Sequence, residues 1–72
     1  MTIDEFMRDV APKMRPGWIA MQPDNNWCWF CDKPILDKKH EIWRGSQLWG
    51  WLYCYEITPV DDWKQSLRKV GK

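Results

Sequence analysis

Three cysteines and one histidine carry the residue types and spacing that suit chemistry in this sequence: Cys28-x2-Cys31, His40 and Cys54. They match the donor set of a structural zinc site, in which four Cys or His ligands surround the metal as a tetrahedron. Cys28 and Cys31 would form one knuckle; the second would need His40 and Cys54, at Cys-x2-Cys-x8-His-x13-Cys. That second half is poor. Cys54 stands alone in a strand pattern, His40 sits in a polar turn, and bulky Trp29-Phe30 fills the gap where knuckles carry small residues. The competing reading of Trp27-Cys28-Trp29-Phe30 is an alternating strand whose cysteines leave the sheet on opposite faces. The thiols are then buried small hydrophobes, with Cys28 and Cys54 on one side and Cys31 near a strand end. This second reading is the stronger, so no cofactor is expected and zinc is the alternative. A redox C-x2-C would open a helix, and Pro34 with the strand pattern argues against one here.

Other catalytic constellations are thin. Ser46 or Ser66 could be set beside His40 on paper, but no strand-to-helix elbow presents either hydroxyl. Asp61-Asp62 suits a helix start better than an acid pair. The four glycines follow no phosphate-loop spacing. The expectation is a protein that is not an enzyme.

The elements that must position these side chains fit in one domain of 72 residues, near the lower size for a self-sufficient core. Seven Trp, two Tyr and two Phe compensate, each burying roughly 150–250 Å². A net charge of +1 with 29% charged residues fits a globular chain with no strong field toward nucleic acid or membrane. The longest apolar-rich run, Leu48–Tyr55, is too short to span a bilayer, and nothing resembles a signal peptide. With three cysteines that cannot all pair, the reading is a cytoplasmic protein with no membrane partner.

Thr2-x-x-Glu5 is a capping box, and Ile3, Phe6, Met7 and Val10 follow at helical spacing, predicting a helix over about 3–11. Pro12 stops it. Strands are predicted over about 18–21 and 27–31, joined by the turn-forming run 22–26, and over about 41–44 and 47–57, joined by Gly45-Ser46. Val60, Trp63, Leu67 and Val70, with acids at the start and bases at the end, predict a second helix over about 61–70. The fold class is α+β: a small antiparallel sheet of about four strands flanked by an N-terminal and a C-terminal helix.

Trp49, Trp51, Tyr53, Tyr55 and Ile57 alternate along the fourth strand and share one face. Most of that row reads as core, covered by Phe6, Met7, Trp63 and Leu67 from the helices. Eleven aromatics exceed one small core, however, so some indoles should be exposed. Trp18, Trp43 and Trp49 lie nearest strand ends and are the candidates for partner binding. Lys64, Arg68 and Lys72 share one face of the predicted second helix and complete the candidate surface.

A resemblance covers the same residues. Pro16-Gly17-Trp18, Trp27-Cys28-Trp29-Phe30-x2-Lys33-Pro34, Trp43 and Asp62-Trp63-x2-Ser66-Leu67 resemble short uncharacterised proteins of bacteriophages and prophages, over roughly residues 16–70. It implies a phage-type accessory domain in the cytoplasm of a bacterial host, and it carries over no catalytic residues. The expected function is therefore a non-enzymatic inhibitor or adaptor that binds a host protein through exposed aromatic and basic residues. The first alternative is a zinc-stabilised module binding nucleic acid; the second is a structural protein that self-associates as a homodimer.

Overall fold

The computed structural model describes residues 1–45 and 47–71. The first helix, α1 (Ile3–Asp9), opens on the expected capping box: Thr2 Oγ1 accepts from the Glu5 N–H at 3.1 Å, and the Glu5 carboxylate accepts from the Thr2 N–H at 3.0 Å. It is shorter than the pattern suggests. Pro12 forces the chain from Val10 into a 3-10 turn over Ala11–Lys13.

Six strands follow among the described residues: β1 (Gly17–Met21), β2 (Trp27–Phe30), β3 (Ile35–Asp37), β4 (Ile42–Arg44), β5 (Trp49–Trp51) and β6 (Arg68–Val70). The main sheet has four antiparallel strands in the order β5-β2-β1-β6, and β3 and β4 form a separate two-stranded ribbon. The β1–β2 hairpin pairs Met21 with Trp27 and Trp18 with Phe30 around the 22–26 turn, where Asn25 takes a positive φ of 72°. The fold is α+β, as expected, but three parts of the sequence reading are corrected.

The predicted helix over 61–70 is absent. Only one 3-10 turn forms, Trp63–Gln65, and the chain then runs as β6 along β1, pairing Val70 with Gly17, Lys69 with Trp18 and Arg68 with Ile19. Three observations explain the override. β1 would otherwise leave an unpaired edge, Val70 is buried in the core, and the Ser66 hydroxyl takes up the Met21 N–H at 2.8 Å. A helix would forfeit all three.

The predicted strand over 47–57 is cut to Trp49–Trp51. Its partner is β2, and Trp27 is the first residue of β2, so the bond from the Leu52 N–H to the Trp27 carbonyl at 3.0 Å is the last rung available. Beyond it the chain turns, with the Tyr55 N–H donating to the Leu52 carbonyl at 3.2 Å. The predicted hairpin between 41–44 and 47–57 is likewise replaced: β4 pairs with β3, and β5 with β2. Ser46, in the predicted loop, lies outside the described residues.

The sheet has two faces with different fates. One buries Ile19, Met21, Trp27 and Val70 beneath Ile3 and Phe6 of α1 and beneath Leu52 and Ile57. Trp27 Nε1–H is a buried side-chain donor without a partner among the described residues. The other face carries Ala20, Cys28 and Phe30, covered by Trp43 of β4 with help from Leu36, Trp63 and Leu67. That cover stops short of β5.

Candidate functional site

The uncovered corner is an aromatic cavity of about 520 Å³. Cys28 and Phe30 stand directly opposite Trp51 and Trp49 in the β2–β5 ladder, so all four side chains share one face. Cys28 and Phe30 make the floor, Trp49 and Trp51 one wall, and Trp43 with Ile42 the other. The indoles of Trp49 and Trp51 are perpendicular, with centroids 5.6 Å apart, and Tyr53 stacks on Trp51 at 5.7 Å and 17°. These three aromatics are 51%, 39% and 70% exposed.

Trp43 is held from three directions. Its N–H donates to Gln22 Oε1 at 2.7 Å, its carbonyl accepts from Gln22 Nε2 at 2.9 Å, and its indole N–H donates to the Trp63 carbonyl at 2.9 Å. Gln22 thus substitutes for a neighbouring strand. Gly45 permits the close approach of this ribbon to the sheet, because a Cβ there would collide with the Phe30 ring.

The ribbon's own turn is fixed by Asp37. Its carboxylate accepts from the His40 N–H at 3.0 Å and from Arg44 Nη2 at 2.7 Å and Nε at 3.2 Å, and it contacts His40 Nδ1 at 2.9 Å. The backbone N–H of His40, then the His40 and Arg44 side chains, hold the Asp37 carboxyl far below the usual range. Glu41 completes the turn with φ 55°. At the cavity rim stand the exposed carboxylates of Asp24 and Glu41; Asp24 caps its own turn through Asn26, while Glu41 has no ion-pair partner among the described residues. In the floor, burial pushes the Cys28 thiol up to about 11, so it stays neutral.

The edge beside this cavity is open. Cys31 N–H donates to the Leu48 carbonyl and Leu52 N–H to the Trp27 carbonyl, each at 3.0 Å. Antiparallel pairing alternates, so the main-chain groups of Leu48, Gly50 and Leu52 face β2 while those of Trp49 and Trp51 face outward. As β5 is the end strand, those outward groups have no strand beyond them among the described residues.

Of the residues singled out from sequence, Trp49 lies in this site and is exposed. Trp43 lines it but is buried, at 7% exposure, and acts as a wall rather than an exposed contact. Trp18 lies elsewhere on the sheet, half-buried under the ammonium groups of Lys33 and Lys69 at 5.4 and 5.9 Å. Lys64 is exposed in the 3-10 turn, and Arg68 lies in β6 with Nη1 donating to the Gln65 and Leu67 carbonyls; the shared helical face expected for them does not form. Lys72 lies outside the described residues.

The zinc set is not assembled. Cys28 is buried, Cys31 is half-buried, Cys54 is exposed in a turn and His40 is engaged by Asp37. Among the described residues no group of three or more His, Cys, Asp or Glu side chains could hold a metal ion. Cys54 therefore does not pack beside Cys28, because the strand that would have carried it ends at Trp51. Ser66 is fully buried, its hydroxyl 2.6 Å from the Trp63 carbonyl. Trp51 and Tyr53 also belong to this site, although their alternation with Trp49 reads in the sequence as a core face. Gln22 left no signal, since a glutamine in a turn-forming run is unremarked.

The chain is 30% identical over 61 residues to two peptide deformylases, from the J-10-fl and Y-400-fl strains of Chloroflexus aurantiacus. The match takes in 85% of this chain and 32% of each relative, so the chain spans about a third of the length of the curated relatives it matches. No family model matches, and no solved structure matches. No helix among the described residues is long and apolar enough to cross a membrane. The chain is similar to part of a peptide deformylase and carries an aromatic cavity at a free sheet edge.

Proposed function

We propose that this protein is a small binding domain that holds an extended segment of another protein along the open edge of β5. The carrying observation is the juxtaposition of a 520 Å³ cavity, walled by Trp43, Trp49 and Trp51, with an end strand whose outward main-chain groups are those of Trp49 and Trp51. An added strand gains main-chain hydrogen bonds from the edge, and a side-chain pocket beside it supplies specificity. Exposed tryptophans are the usual anchors of protein interfaces, and a cluster of three exposed aromatics is large for so small a surface.

The resemblance to phage and prophage proteins supports a stoichiometric role: an inhibitor or adaptor occupying a host protein in the bacterial cytoplasm. The partial likeness to peptide deformylases fits the same surface, because those proteins are named for action on peptides. A second reading, in which the chain itself deformylates peptides, has that likeness in its favour. Release of formate from an N-formylated peptide by the purified chain decides it, and the binding-domain reading expects none.

The test of the first reading is capture of a partner by immobilised protein from a bacterial lysate, with identification by mass spectrometry. The captured protein should be lost from a Trp49→Ala/Trp51→Ala double variant. Equal capture by both forms contradicts the reading.

A further inference from the structure

Indole faces elsewhere on this protein are occupied by its own cations. The Arg15 guanidinium lies 5.4 Å from the Trp29 ring centroid, and the Lys33 and Lys69 ammonium groups lie 5.4 and 5.9 Å from that of Trp18. Trp49 and Trp51 are more exposed than either, yet no Lys or Arg among the described residues sits over them. The cation that lines their cavity is Arg44, and Asp37 ties its guanidinium down through Nη2 and Nε. The other charged lining groups are the carboxylates of Asp24 and Glu41. The cavity therefore combines aromatic walls, two carboxylates at its rim and one cation that is already paired.

We infer that this cavity takes a cationic side chain, an arginine or lysine, from the extended segment bound at β5; the inference rests on the binding-domain reading. The register supplies the geometry. A residue on an added strand opposite Trp49 or Trp51 projects its side chain to their face of the sheet, on the outer side of the indole wall, and an arginine or lysine is long enough to lie over those indoles toward the cavity. There a guanidinium or ammonium meets the ring quadrupoles of the indoles, an attraction strongest for tryptophan. It also neutralises Glu41, whereas an apolar side chain would strip water from Glu41 without offering it a partner. A carboxylate would be repelled by both rim carboxylates.

The experiment uses three blocked seven-residue peptides of alternating threonine and valine, alike except for arginine, leucine or glutamate at the centre. Each is titrated into the whole chain, read by tryptophan fluorescence and by the backbone amide shifts of Trp49 and Trp51. The arginine peptide should bind about 10-fold more tightly than the leucine peptide, and the glutamate peptide most weakly. Glu41→Gln, a change at an exposed position, should cut the preference for arginine over leucine about threefold, weakening the arginine peptide and strengthening the leucine peptide. A leucine peptide that binds as tightly as the arginine peptide overturns the cationic occupant and leaves the binding-domain reading standing. Failure of every peptide to move the Trp49 and Trp51 amides overturns both.

Discussion

The side-chain amide of Gln22 closes both main-chain hydrogen bonds of Trp43, accepting from its N–H at 2.7 Å and donating to its carbonyl at 2.9 Å. One side chain at the end of the β1–β2 hairpin thereby docks the β3–β4 ribbon on the sheet, and so sets the far wall of the aromatic cavity. Gln22→Ala should destabilise the protein by about 1–3 kcal/mol, because it leaves two half-buried main-chain groups unpaired. Chemical denaturation measures that loss, and the same variant should weaken binding at the cavity. Gln22→Glu keeps an acceptor but loses the donor, so its cost should fall between wild type and alanine.

Ser66 performs the equivalent task for the C-terminal segment. Its hydroxyl accepts from the Met21 N–H at 2.8 Å and donates toward the Trp63 carbonyl at 2.6 Å, in a fully buried setting. Ser66→Ala should cost about 1–3 kcal/mol and raise hydrogen exchange at the Met21 amide. An unchanged exchange rate there would contradict the assignment.

The tryptophans should divide into two classes. Trp27→Ala and Trp43→Ala remove buried rings and should cost about 3–5 kcal/mol each, with Trp27→Phe milder because it also removes an unpartnered buried N–H. Trp49→Ala and Trp51→Ala, both exposed, should each cost no more than about 1 kcal/mol. Thermal denaturation of the four alanine variants is the check.

The thiols should react in the order of their exposure: Cys54 first, Cys31 next, and Cys28 only on unfolding. Burial raises the Cys28 thiol from 9.0 to about 11, so the folded state keeps a proton that the unfolded state releases. Stability should accordingly fall as pH rises through that window, and Cys28→Ala should remove the loss. Chelation should change neither the mass nor the melting temperature.

Asp37 sets the acid side. Its hydrogen bonds from the His40 backbone, the His40 ring and Arg44 lower its pKa from 3.8. A lowered carboxyl stabilises the fold fully above its ordinary value, and that contribution is lost as pH falls through the lowered one. Below about pH 4 the difference in stability between wild type and Asp37→Asn should therefore shrink, and at neutral pH it should be largest. Denaturation midpoints across that range test the sign.

Parts of this structure are written locally, and those parts were legible. The Thr2–Glu5 capping box, the turn at 22–26 and the β1–β2 hairpin depend on neighbours in sequence. So does the opposition of Cys28 and Phe30 to Trp27 and Trp29, which follows from strand alternation alone. The rest is decided by distant partners. Val60, Trp63, Leu67 and Val70 have helical spacing, yet the free edge of β1 and the Met21 N–H recruit their segment as a strand. Trp49, Trp51, Tyr53, Tyr55 and Ile57 alternate without a break, but β2 is too short to pair them all. Ile57 consequently turns to the α1 side, where Tyr55 packs on Phe6 at 5.3 Å, and the first three aromatics are left at the surface. The candidate site was half visible: its aromatic pattern could be read, while its exposure depended on where a partner strand ends.

The central claim is that a partner segment lies along β5, and hydrogen exchange on the complex with the arginine peptide tests it most directly. The Trp49 and Trp51 amides, which face outward in the free protein, should gain protection together, with the Trp18 and Lys64 amides unchanged. Protection that appears at Trp18, Lys64 or Arg68 instead, with Trp49 and Trp51 still exchanging freely, would contradict the account.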